Sequence, residues 1–145
     1  MDRELKRNHA TSVQVRYSEV DRMGLLYHVN YLEYFELARS DWVRDFWRPY
    51  KEIEDAGYAL VVTEAHLKYH RPASYDDLLR IEVAPVEWGN SRIKFEYAIF
   101  REDETEPLCT GSTSHCFIDR NGKATRMPPD LKTRLEALGA QPVAG

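Results

Sequence analysis

Residues 15–46 read VRYSEVDRMGLLYHVNYLEYFELARSDWVRDF, and the period of the apolar residues changes inside this stretch. Up to Tyr17 the chain alternates: from Thr11 onward Val13, Val15 and Tyr17 are separated by polar Gln14 and Arg16, the period of two that marks a half-buried strand. From Asn30 the period lengthens. At about 100° per residue Tyr31, Tyr34, Phe35, Ala38, Trp42 and Phe46 share one broad face, opposite Glu33, Glu36, Ser40 and Arg44, which predicts a helix over residues 30–46. So wide and aromatic an arc predicts a helix largely enclosed by other structure. Asn30 stands where a helix cap is wanted. Arg39 falls inside the apolar arc and needs a carboxylate there, since an unpaired buried charge is costly; Glu36, one turn earlier, can pair with it. Between the two patterns lies Asp21-Arg22-Met23-Gly24, where the glycine allows a sharp change of chain direction.

Beyond Pro49, Tyr50 to Ala56 reads as a helical turn ended by Gly57. Four strand-like stretches follow: Ala59 to Tyr69, Leu79 to Val86, Ser91 to Phe100 and Leu108 to Ile118. In the first of them, alternation puts Val61, Thr63, Ala65, Leu67 and Tyr69 on one face and Glu64, His66 and Lys68 on the other. Turn residues separate the stretches, at Arg71-Pro72-Ala73-Ser74, Trp88-Gly89-Asn90, Glu102 to Pro107 and Asn121-Gly122. None of these breaks is long enough for a crossover helix, so the connections are expected to be antiparallel. The tail from Pro128-Pro129-Asp130 resembles a short capped helix carrying Leu131, Leu135 and Leu138. The order of strand, long apolar helix and four strands predicts an α+β fold with one curved sheet packed on the helix. Residues 1–145 are expected to form a single domain. The unpaired sheet edges predict a homo-oligomer joined edge to edge.

Composition narrows the function classes. A chain of 145 residues with 43% hydrophobic content can bury one sizeable core. Its formal net charge is -4, with basic residues scattered, so no electrostatic track for a nucleic acid is evident. No run approaches the ~18 apolar residues of a membrane span, and MDRELKRNHA at the start lacks the apolar run of a secretory signal, so the chain is expected in the cytoplasm without membrane insertion. Cys109 and Cys116 have no CxxC or Cys/His cluster beside them and read as reduced, partly buried residues. No metal or redox cofactor is implied. No serine lies in a G-x-S-x-G elbow, and phosphate-binding glycine motifs are missing.

The run from Val15 to Arg39 closely resembles the N-terminal signature of hotdog-fold acyl-coenzyme A thioesterases, in the YbgC-like branch related to 4-hydroxybenzoyl-coenzyme A thioesterase. The resemblance rests on Tyr17, Asp21, Gly24, Tyr27-His28, Asn30-Tyr31-Leu32 and Glu36-x-x-Arg39. The segment Tyr69 to Leu79 resembles the family's recurrent aromatic, Pro-Ala and acidic turn, more loosely. The resemblance implies a long central helix wrapped by a five- or six-stranded antiparallel sheet, in homodimers that often stack into homotetramers. It implies an acyl-coenzyme A substrate, Asp21 as nucleophile or general base, and the amide around His28 as oxyanion donor. Thioester hydrolysis needs an activated water or nucleophile and donors aimed at the developing oxyanion. A helix start supplies unpaired N–H groups at the positive end of its dipole.

Each residue also has a plainer reading. Asp21 can be a turn residue, Tyr17 a packed strand aromatic, and His28 a buried hydrogen-bonded histidine; the motif favours a site role for His28 through its imidazole as well as its N–H. For the coenzyme A phosphates the candidates are Arg71, Arg92, Lys94 and Arg126, each of which can equally be a solvated surface charge. Two rivals remain: a hotdog hydratase or dehydratase acting on acyl-carrier-protein thioesters, which needs a histidine and a carboxylate for β-proton chemistry, and a hotdog module that binds a thioester without turnover.

Overall fold

The apolar arc of residues 30–46 does become a helix, and the rest of the chain is arranged to bury it. The computed structural model describes residues 9–139 and 141–142. In chain order the elements are β1 (Ala10–Gln14), one 3-10 turn (Tyr17–Glu19), α1 (Asn30–Phe46), α2 (Tyr50–Asp55), β2 (Ala59–Tyr69), β3 (Leu78–Trp88), β4 (Arg92–Arg101), β5 (Cys109–Ile118), α3 (Pro129–Leu138) and β6 (Gln141–Pro142). The first eight residues, which bear on the expectation about export, lie outside the described residues.

The sheet runs β1-β3-β4-β5-β2, every neighbouring pair antiparallel. This is the expected α+β hotdog arrangement of a curved sheet around a central helix. One departure is β6, which pairs parallel with β3 at Glu87 and Trp88. A second is that β2 and β3, consecutive in sequence, are not partners: β2 pairs with β5 at the far edge. Their ends are three strand spacings apart, roughly 14 Å, a gap that the eight residues 70–77 span easily at ~3.3 Å each. That connection crosses the end of α1, where the Ala73 amide donates to the Tyr31 hydroxyl at 3.2 Å and the Leu26 amide donates to the Ala73 carbonyl at 2.8 Å.

Tyr31, Tyr34, Phe35, Ala38, Arg39, Trp42 and Val43 of α1 are buried. Phe35 stacks on Tyr97 with centroids 4.2 Å apart, and Gly111 lets β5 approach: a Cβ there would sit 2.4 Å from the His66 carbonyl oxygen and 2.7 Å from the Phe35 ring. Arg39 finds its carboxylate at ion-pair range, 3.7 Å from Glu36, but its direct hydrogen bonds go to the hydroxyls of Tyr50 and Tyr97, each at 3.1 Å. From Tyr97 the buried polar chain continues through Thr113 to His115.

Two local expectations are corrected. The register of β2 shifts between Val62 and Glu64, and such a bulge reverses the facing of all that follows. Val61 opposes Cys116 and so shares the outer face with Glu64, His66 and Lys68, while Val62 opposes the buried His115 on the helix side. In α3, no side chain caps the N-terminus; Asp130 instead accepts from Trp47 Nε1 at 2.6 Å and from Arg48. Leu131 and Leu135 are buried, as their spacing predicts.

Candidate active site

The loop between β1 and α1 is built by hydrogen bonds that follow from its acidic and glycine residues. Tyr17 is not on a strand; it opens the 3-10 turn, 79% exposed, with its ring edge-on to Tyr75 at 5.7 Å. Asp21 sits at the tip. Its Oδ1 accepts from the amides of Met23 (2.8 Å) and Leu25 (3.2 Å), and Gly24 closes the turn at φ 77° with its amide donating to the Asp21 carbonyl. Asp21 is thus a turn residue, and one carboxylate oxygen does that work. Oδ2 has no hydrogen-bond partner among the described residues, and the side chain is exposed.

Asp21 lies where two hollows meet. One is an open groove of about 1030 Å³ walled by Tyr17, Tyr27, Asn30 and Tyr75. The other, about 390 Å³, is lined by His28, Tyr31, Tyr69, His70, Arg71 and Pro72. The first turn of α1 opens onto this second hollow. The amides of His28 and Val29 donate to no described residue, whereas the Asn30 amide is already bonded to the Tyr27 carbonyl at 2.9 Å. Tyr69 holds this turn from β2, its hydroxyl donating to the His28 carbonyl at 3.1 Å. The His28 imidazole is exposed, its ring perpendicular to Tyr69 at 6.3 Å, and makes no hydrogen bond to Asp21.

Asn30 is not the cap: its side-chain amide reaches back 2.9 Å to the Glu19 carbonyl, and the residue before it, Val29, begins the helix without a side-chain cap.

The four basic candidates are not brought together. Only Arg71 lines a hollow at Asp21, and its guanidinium donates to Glu104 (2.9 Å) and to the Glu106 carbonyl (2.7 Å). Arg92 and Lys94 line a separate depression with Thr63, Glu64, Glu87 and Ser114. They occupy the start of β4, about 30 Å (Arg92) and about 23 Å (Lys94) along the strand from Arg101, whose guanidinium donates to the Pro72 carbonyl beside the second hollow. Arg126 is exposed, and the next residue, Met127, bonds Asn90 at that same far end. Tyr69 and His70 join the site through the β2–β3 crossing, and Tyr27 and Tyr75 through the walls of the groove. In the sequence, Tyr27 is marked by the Tyr27-His28 motif, and the other three only by the looser aromatic turn from Tyr69.

Other nucleophiles fall away on physical grounds. Burial pushes the Cys109 thiol up to about 12, so it carries no thiolate at neutral pH. Cys116 lies seven residues on, facing the opposite side of β5. Among the described residues no group of three or more His, Cys, Asp or Glu could hold a metal ion.

A carboxylate with one oxygen unpartnered among the described residues, lining the same hollow as His28 at the unpaired helix start, is an arrangement suited to attack on an activated carbonyl. The model of the thioesterase-like superfamily matches residues 15–135. The chain belongs to that superfamily. Its YbgC relatives place it among the hotdog thioesterases of the YbgC-like branch. The acyl-CoA thioesterase YbgC of Haemophilus influenzae is 33% identical over 128 residues, 87% of this chain and 93% of its own. A putative esterase of Aquifex aeolicus is 32% identical over 125 residues, 86% of this chain and 93% of its own. Among solved structures, the DHNA-CoA thioesterase of Staphylococcus aureus superposes with a TM-score of 0.84 at 28% identity, covering 90% of this chain and 89% of that one. The thioesterase match spans both hollows and strands β2 to β5.

Proposed function

We propose that this thioesterase-family chain hydrolyses acyl-coenzyme A, with Asp21 as nucleophile or general base and the His28 and Val29 amides as oxyanion donors. The observation that carries the reading is the free Oδ2 of Asp21 at the junction of two hollows, one of which the unpaired start of α1 faces. An acyl carbonyl seated there has a carboxylate on one side and N–H dipoles on the other. The donors are in place before charge develops, which is where electrostatic stabilisation is worth most. Thiolate is a good leaving group, so no strong general acid is required. Of the candidates for the coenzyme A phosphates, Arg71 alone is beside the site. Arg92, Lys94 and Arg126 are usable only if a second subunit brings them near another Asp21. Tyr17 contributes as an exposed groove wall.

The reading includes a homodimer acting in the cytoplasm. Strand β2 is an 11-residue edge strand with Val62 53% exposed on its helix side, and Leu32 and Leu37 of α1, with Val29 just before it, are also exposed. A second copy pairing with β2 would cover both. A homotetramer formed by sheet stacking would use the outer face, which carries exposed Glu64, His66 and Lys68. No helix among the described residues is long and apolar enough to cross a membrane.

The deciding experiment is thiol release from a panel of acyl-coenzyme A and acyl-carrier-protein thioesters by wild type and Asp21→Asn. Loss of a general base alone costs about 10²- to 10⁴-fold, so kcat should fall by at least that with substrate binding kept. A folded Asp21→Asn enzyme with more than about a tenth of wild-type turnover would exclude the role. Sedimentation at micromolar concentration should give a dimer or tetramer; an active monomer excludes an intersubunit site.

A further inference from the structure

Two residues before Asp21 stands a carboxylate that no sequence pattern marks and that the proposed chemistry does not use. Glu19 is 7% exposed, in a loop whose neighbours Tyr17, Ser18 and Asp21 face solvent. Its Oε1 accepts from the Tyr34 hydroxyl and from the Arg16 amide, both at 2.8 Å, and Oε2 accepts from the Arg16 guanidinium at 3.0 Å. Its carbonyl accepts from the Tyr27 amide and the Asn30 side chain, both at 2.9 Å. One residue therefore joins the end of the β1 segment, the body of α1 and the two residues that bracket the free His28 and Val29 amides.

From this geometry we infer that Glu19 is a positioning residue: its buried carboxylate, bonded to Tyr34 and Arg16, sets where the Asp21 carboxylate stands relative to the first turn of α1. The inference rests on the reading of Asp21 as the reacting carboxylate. Tyr34 lies in the buried part of the helix, one turn beyond Tyr31. The loop is otherwise held by its own turn bonds and by pairing of Leu25 and Leu26 with the β2–β3 crossing. Those contacts fix its far side. On the near side, the Glu19 side chain reaches the helix body at Tyr34, and the Asn30 side chain at the helix start adds a bond to the Glu19 carbonyl; a displacement of about 1 Å there goes directly into Asp21, and misplacements of that size cost on the order of 10²-fold in rate. Burial by itself would push the Glu19 carboxyl up, but the Arg16 guanidinium and amide and the Tyr34 hydroxyl hold it below the usual carboxylate range, so the clamp stays ionised at neutral pH.

The test uses full-length Glu19→Ala, Glu19→Gln and Tyr34→Phe, each also combined with Asp21→Asn, assayed on the best substrate among acetyl-, hexanoyl- and benzoyl-coenzyme A. Glu19→Ala should lower kcat by about tenfold or more with KM within about threefold. Glu19→Gln keeps an acceptor for Tyr34 and the Arg16 amide, and the exposed Arg16 side chain can swing away, so it should regain kcat to within about threefold of wild type. Tyr34→Phe should fall between the two. In the Asp21→Asn background, measured at high enzyme concentration, Glu19→Ala should cause no further loss, because a displaced group that no longer reacts cannot be missed. The fall in melting temperature should be the same in both backgrounds. Full kcat in folded Glu19→Ala, or an equal fractional loss with and without Asp21, overturns the inference. If Glu19→Ala does not fold, full activity in Tyr34→Phe overturns it. An active Asp21→Asn enzyme removes the reading of Asp21, and the role of Glu19 falls with it.

Discussion

Acidification should destabilise this fold through one buried imidazole. His115 is 1% exposed, with its ring edge-on to Phe95 at 5.6 Å. Its Nε2 shares a 2.7 Å hydrogen bond with Thr113, while Nδ1 has no partner among the described residues. Protonation would make both nitrogens donors, leaving one N–H unsatisfied and adding a second cation to a chain that already holds Arg39. Burial, and then the Arg39 charge, bring the His115 value down to about 3. In the unfolded chain it titrates near 6.5. Above that pH the group is neutral in both states and contributes no pH dependence. As pH falls below it, the unfolded state takes up a proton that the folded state refuses, so stability falls until the folded value is reached.

Between about pH 7.5 and 4.5 the loss integrates to roughly 2.5 kcal/mol for this one group. The measurement is urea unfolding of wild type and His115→Gln across that range, at one fixed protein concentration because association shifts apparent stability. Glutamine is uncharged and can still bond Thr113, so the difference between the two curves isolates the imidazole. Wild type should lose its ~2.5 kcal/mol relative to the variant on going from neutral to acid. A flat difference would show that the buried site admits the proton, and would refute the reasoning.

His28→Ala should leave an enzyme clearly weaker than wild type yet less damaged than Asp21→Asn, because the backbone N–H at the helix start survives the change; steady-state kinetics of the two variants on one substrate test the order, and equal loss contradicts it. Gly111→Ala should destabilise by about 1–3 kcal/mol or more, since overpacking here is against a backbone oxygen that cannot step aside; an unchanged melting temperature would mean that β2 and β5 slide apart cheaply.

Much of the architecture is written in local patterns. The wheel of residues 30–46 defines the buried face of α1 almost residue by residue, because a helix presents a face through spacing within one segment. Leu131 and Leu135 mark α3 in the same way, and the Asp21-to-Gly24 turn needs only neighbouring amides. What lies beyond those segments depends on partners distant in sequence. The bulge at residues 62–64 appears only where β2 pairs with β5, and alternation alone assigned Val61 to the wrong face. Sheet order sends residues 70–77 across the end of α1, which places Tyr69, His70 and Arg71 beside Asp21 and leaves Arg92 and Lys94 at the other end of β4. Glu19 reads as an ordinary polar loop residue until Tyr34, fifteen positions on, is folded against it. Periodicity reports which way a side chain faces within its own element; which residues meet in a site is decided by pairing and packing between elements, and that information is carried by the tertiary structure alone.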